Sequence, residues 1–249
     1  MMFQAILNDR FSGSSVLLEK TLDWLSSEVA SGNAISDAAL HQLREVHSGM
    51  ACFVNLQRFF SENKLSEKSL NKFRGRIAEE EHGMLESFCR SFPEDMNRVS
   101  VYSCSGMVLK ALTMLERSLE VDVALCAPDG EGQVMAESLA KIPGVVSSLW
   151  GDGPYFSRVL ETQAVVLGCD AISPNWLINR SGTGALIAIA AGLKIPVYLV
   201  RGPLKFLTDD ELLELSLKQG IDVPAVASSD IRWENPLLEV VGIGDVIVP

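Results

Sequence analysis

Residues 164–206 read AVVLGCDAISPNWLINRSGTGALIAIAAGLKIPVYLVRGPLKF. An apolar run, Ala164–Cys169, ends at Asp170. A polar loop follows, then an apolar helical pattern over Thr183–Leu193, then a second run, Pro196–Val200. Short β-branched runs separated by helices are the signature of parallel strands buried on both faces. The same rhythm extends backwards. Strands are expected at Arg98–Ser103, Val121–Cys126 and Val145–Leu149, with short ones near Asp222–Val226 and Val246–Val248. Helices are expected at Gly106–Arg117, Glu131–Lys141, Tyr155–Leu160 and Asp209–Lys218. Alternating strands and helices predict a parallel sheet with helices on both faces.

Before Pro93–Asn97 the pattern is different. Val16, Leu17, Trp24, Leu25 and Val29 recur at helical spacing over residues 14–30, with Ser14 or Ser15 as the cap. Further helical patterns run from Asp37 to Val46, from Ala51 to Phe60 and from Ser66 to Phe92, the last carrying Glu79-Glu80-Glu81 as a solvated face. The expected organisation is an α/β chain with a helical N-terminal domain, 1–97, and a parallel-sheet domain, 98–249.

The chain has 249 residues, of which 47% are hydrophobic and 21% charged, which excludes disordered and fibrous classes. Its net charge of −11 is spread over both parts, so neither is a basic module for nucleic acid or an anionic membrane. Five scattered cysteines without a Cys-x-x-Cys pair, and three histidines, argue against a disulfide scaffold or a zinc site. The opening MMFQAILNDRF has neither the basic start nor the long apolar core of a signal peptide. A reduced, cytoplasmic chain with no metal or cofactor is expected.

In a doubly wound sheet, ligands sit beyond the carboxyl ends of the strands. There Asp170 offers a proton acceptor or a grip on a hydroxyl. Asn179, Arg180, Gly182 and Thr183 open a helix, and backbone N–H groups with a guanidinium suit a phosphate. The same residues would also serve as plain helix caps and loop ties. Gly-x-Gly-x-x-Gly and Walker patterns are absent.

The order Gly168-Cys169-Asp170, Asn179-Arg180-Ser181-Gly182-Thr183, Leu204-Lys205-Phe206 resembles the family that joins methylthioribose-1-phosphate isomerase, ribose-1,5-bisphosphate isomerase and the alpha, beta and delta subunits of initiation factor 2B. VSVYSCSGMVLKAL (99–112), Pro128-x-x-Glu131-Gly132, NDRFSGSSVLLEKTL, EVHSGMACFVNL and Asn235-Pro236 resemble further family segments. The resemblance implies a Rossmann-like domain, pairing of two copies through it, and a small phosphorylated sugar or nucleotide as ligand. It implies aldose–ketose isomerisation as the chemistry, with Asp170 as acid/base and Cys104 or Ser103 as its partner. Arg10, His47, Asn179, Arg180, Gly182, Thr183 and Lys205 would hold the ligand.

The sequence departs from the family at two kinds of position. Ser103 aligns with the family cysteine, with Cys104 one place later. Ser12, His47 and Ala127 stand where the isomerases carry phosphate-binding arginines. The alternative is therefore a non-catalytic regulatory or scaffold subunit. An exposed Cys104 near Asp170 favours the enzyme; a packed one favours the scaffold.

Overall fold

The structure is a computed structural model that describes residues 2–9, 12–215, 236–244 and 246–249. Five helices come first: α1 (Met2–Asn8), α2 (Ser14–Ala30), α3 (Asp37–Val46), α4 (Ala51–Glu62) and α5 (Glu67–Ser91). Their apolar stripes close on one core that includes Leu17, Leu22, Leu25, Leu43, Phe53, Leu56 and Phe73. Ser66 caps α5 through a reciprocal pair of bonds with Ser69.

Five strands then form a parallel sheet: β1 (Arg98–Val101), β2 (Leu119–Ala124), β3 (Val145–Trp150), β4 (Ala164–Leu167) and β7 (Val197–Leu199), in the order β3-β2-β1-β4-β7. Helices α6 (Gly106–Met114), α7 (Glu131–Leu139), α8 (Asp152–Arg158) and α9 (Thr183–Leu193) lie between these strands in the chain. Every residue of β4 is buried, as its unbroken apolar run requires. The chain leaves β1 towards β2 and β3 on one side and adds β4 and β7 on the other. The switch point therefore falls between β1 and β4, where a crevice opens beyond the strand ends.

Several expectations need correction. The segment read as a loop after Asp170 holds β5 (Ala171–Ile172) and β6 (Trp176–Arg180), which pair antiparallel with each other and with β8 (Leu238–Gly242). Two residues are too few to show alternation, and the buried Asn179 and Arg180 conceal the apolar face of β6. The helix expected at Tyr155 starts at Asp152. Val246–Val248 contributes only a bridge from Ile247 to Tyr198. The helix α1 was not expected. Asp222–Val226 and the end of the 209–218 helix lie outside the described residues; its described part is α10 (Asp209–Leu213). Among the described residues no helix is long and apolar enough to cross a membrane.

Candidate functional site

Three loops converge on the crevice, and three non-glycine residues in them have positive φ: Ser103 after β1, Cys126 after β2 and Leu204 after β7, at 70°, 60° and 61°. Such backbone is sparsely populated and is retained where surrounding contacts over-determine it. Gly182, at the start of α9, has φ +107°, and a Cβ there would lie 2.1 Å from the Tyr102 hydroxyl oxygen. Tyr102 donates to the Ser181 carbonyl at 2.8 Å, so glycine lets the ring lock the α9 entrance.

Asp170 follows β4, and its backbone is doubly held. Its N–H donates to Ile178 O at 2.8 Å and its carbonyl accepts from Ala51 N at 3.0 Å. Its carboxylate accepts the Ser14 hydroxyl at 2.7 Å and lies 3.6 Å from Lys205 Nζ. Lys205 Nζ in turn donates to Ser14 Oγ, and both residues are buried. Beside them the Cys52 thiol points at the Ser14 carbonyl, 3.8 Å away, and burial pushes its pKa up to about 11.

A cavity of about 60 Å³ lies between α2, α5, α6 and the loop ahead of Lys205. It has room for about two waters at roughly 30 Å³ each. Pockets for drug-sized ligands run to about 300–1,000 Å³.

The other expected site residues are placed one by one. Ser103 donates to Glu131 Oε1 at 2.5 Å. Burial raises the pKa of Glu131, against the opposing pull of Arg180 and Ser103. Cys104 is half-buried and packed against the sheet core, and burial, followed by the neighbouring Glu131, raises its pKa as well.

Arg180 donates to Asp129 Oδ2 at 2.8 Å and to the carbonyls of Cys126 and Ala127 at 3.2 and 3.3 Å, with Glu131 3.8 Å from its Nε. Asn179 donates to Thr183 Oγ1 at 3.0 Å, and Thr183 donates to Arg180 O at 2.6 Å. The N–H groups of Gly182 and Gly184 both donate to Glu239 Oε1, at 2.8 and 2.9 Å. His47 is buried, stacked on Phe53, with Nε2 3.0 Å from the Ile6 carbonyl, so its ring faces the helical core rather than the crevice. Arg10 lies outside the described residues.

The structure thus brings Asp170, Lys205, Ser103, Cys104, Asn179 and Arg180 to one end of the sheet. It also brings residues that the sequence reading missed in this role. Ser14 had been read only as a cap. The two carboxylate oxygens of Asp152 accept from Cys126 N and Ala127 N, each at 2.8 Å. Glu131 stood inside a quoted motif, which was the available signal. Glu239 had none beyond its place shortly after Asn235-Pro236.

Together these contacts have one chemical meaning. Four groups suited to an anion from solution already face a carboxylate of the chain: Lys205 faces Asp170, Arg180 faces Asp129, the α9 terminus faces Glu239, and the Cys126–Ala127 amides face Asp152. Among the described residues no group of three or more His, Cys, Asp and Glu side chains is placed to hold a metal ion.

A family model described as "Initiation factor 2 subunit family" matches residues 14–236. The chain is 26% identical over 151 residues to translation initiation factor eIF2B subunit alpha of Caenorhabditis elegans, a match over 58% of this chain and 49% of that protein, so it spans about half of the relative's length. The fold is that of translation initiation factor eIF-2B of Pyrococcus horikoshii OT3, with a TM-score of 0.80 at 18% identity over 98% of this chain and 91% of that one. It is also that of the tetrameric eIF2B-beta2-delta2 complex of C. thermophilum, with a TM-score of 0.72 at 18% identity over 99% and 88%.

Proposed function

This chain belongs to the initiation factor 2 subunit family, and we propose that within it the protein acts as a non-catalytic regulatory or scaffold subunit in the cytoplasm, resembling the regulatory subunits of initiation factor 2B. One observation carries the reading: four groups suited to a sugar phosphate already face Asp129, Asp152, Asp170 and Glu239. A phosphate entering the crevice has to displace these carboxylates, each held by charge-assisted bonds worth about 1.5–3 kcal/mol. The second requirement of an isomerase, a thiol ready to move a proton, is opposed by the packing of Cys104.

As a scaffold, the protein pairs with a second copy through its sheet half. Support comes from α9, which has no charged residue, yet exposes Ala185, Ala188, Ala191 and Leu193. Helices apolar all round are normally covered. A native mass measurement at micromolar concentration should find a species of twice 27.1 kDa; a pure monomer would overturn the pairing.

The catalytic question is decided by incubating the protein with aldose phosphates and nucleoside monophosphates, following ketose formation by NMR and binding by calorimetry. The expected result is no turnover and no tight binding. Turnover that drops about 10²–10⁴-fold in Asp170→Asn would restore the isomerase reading.

A further inference from the structure

The parallel sheet has two edges, and the described residues cover one of them. Beside β7, Ile247 O accepts from Leu199 N at 2.9 Å and Ile247 N donates to Val197 O at 2.8 Å. The other edge is β3, which pairs with β2 alone. Gly144 O accepts from Leu119 N and Trp150 O from Leu125 N, so the even-numbered residues of this stretch turn their main-chain groups towards β2. In a parallel ladder the alternate residues, here Val145, Ser147 and Leu149, point theirs outward. The Val145 N–H is taken by the Ile142 carbonyl at 3.1 Å. The other outward groups of these three residues have no partner among the described residues.

Edge strands that stay exposed are usually short, or guarded by charge, proline or a bulge. β3 has no such guard. It is as long as β2, at six residues, and its register with β2 is unbroken. No charge occurs between Lys141 and Asp152, in a chain of net charge −11. Val146 and Leu149 are 64% and 44% exposed on its two faces. Ser147 adds a separate observation: its Oγ is buried and has no hydrogen-bond partner among the described residues, a costly state for a hydroxyl.

The geometry points to β3 as a self-pairing edge, lying antiparallel to β3 of a second copy about a two-fold axis at Ser147. Each Ser147 then exchanges both main-chain bonds with Ser147 of the other copy. Leu149 N donates to Val145 O across the axis, the main-chain group that Val145 has free. The two orphan hydroxyls meet, and exposed Leu149 lies on Val145; cross-strand pairs of both kinds are stabilising. A second copy suits the edge better than an unrelated extended segment. The axis gives Ser147 its own twin as partner, and a strongly acidic chain meets its copy with least repulsion along a neutral strip. The contact deepens the scaffold reading, on which it rests, by adding a second self-contact to the one proposed at α9.

One strand per copy makes a small, weak contact, so the full chain is studied by sedimentation equilibrium up to roughly 1 mM. Its mass should rise with concentration from twice towards four times 27.1 kDa. Leu149→Lys sets a charge on both sides of the axis and should weaken this second step roughly tenfold or more. A parent chain that stays paired and goes no further would overturn the β3 contact and leave the α9 pairing standing. A parent whose sole pair is dissolved by Leu149→Lys would support β3 and overturn α9. Disulfide trapping reads the register, because Val146 of one copy directly opposes Ser148 of the other. A mixture of Val146→Cys and Ser148→Cys chains should link under mild oxidation roughly tenfold more than either chain with itself, whose cysteines are only diagonal neighbours. Mixed chains that fail to link, or Ser148→Cys chains that link mainly to one another, would overturn the pairing centred on Ser147.

Discussion

Asp170 and Arg180 flank the open end of the β5–β6 hairpin, and they are neutralised in opposite ways. Arg180 is answered from within the sheet half, by Asp129, Glu131 and two carbonyls of the loop after β2. Asp170 is answered across the crevice, by a serine at the start of α2 and a lysine beyond β7. The first network lies wholly within the sheet half. The second joins one half of the molecule to the other. The two charges thus differ in which part of the molecule holds the partner, and Asp170 is the more exposed of the two.

Charge removal is the strongest way to break the contrast. Arg180→Met strands Asp129 and Glu131 in a partly buried setting, and removal of one partner of a buried pair costs about 3–5 kcal/mol. Lys205→Met should cost less, about 1–3 kcal/mol, because Asp170 keeps the Ser14 hydroxyl and is 20% exposed. Urea midpoints of both variants check this; an equal loss would erase the distinction.

Alkaline pH probes one thiol from each network. Burial raises Cys52 from the ordinary 9.0 to about 11 and Cys126 to about 12. Their unfolded forms ionise first, so the stability they contribute is complete below pH 9 and is lost as pH rises towards 11 and 12. At pH 10 each thiol accounts for a loss of about 1.4 kcal/mol. Cys52→Ala and Cys126→Ala should each flatten their share of the slope in urea titrations from pH 8 to 10.

A smaller effect is expected at the α9 terminus. Glu239→Ala removes the carboxylate from two N–H donors and should cost about 1 kcal/mol, read as a fall in Tm, with no change at the Asp170 end.

The smallest effect concerns Glu131, whose raised pKa means that the folded chain holds the proton more tightly than the unfolded one. Its contribution is complete at acid pH and declines as pH rises above the ordinary glutamate range. Glu131→Gln should remove that decline, and a pH profile of stability indistinguishable from the parent would show that Arg180 and Ser103 fully offset the burial.

Family, the succession of parallel strands and the strand-end position of Asp170 were readable from residues 98–206, because hydrophobic period and motif order are properties of neighbours along the chain. The β5–β6 pair escaped because Asn179 and Arg180 are polar residues buried in a strand, a combination that local pattern assigns to a loop. The phosphate grip expected at Asn179–Thr183 rested on residue types that suit an anion, and those types do attract one: it is Glu239, on a strand more than fifty residues away.

What the sequence alone determined was therefore the α/β fold of N-terminal helices followed by a parallel sheet, the family, and which loops meet beyond the strands. Only the tertiary structure decided which charge answers which. Ser14 meets Asp170 from 156 residues away and Lys205 meets Ser14 from 191. A helix or strand is set by side chains three, four or two positions apart, whereas an ion pair is set by where separate elements pack. The same lysine, serine and aspartate would form an open anion site or a closed chain of contacts depending on whether α2 lies against the end of β4, and in the structure it does.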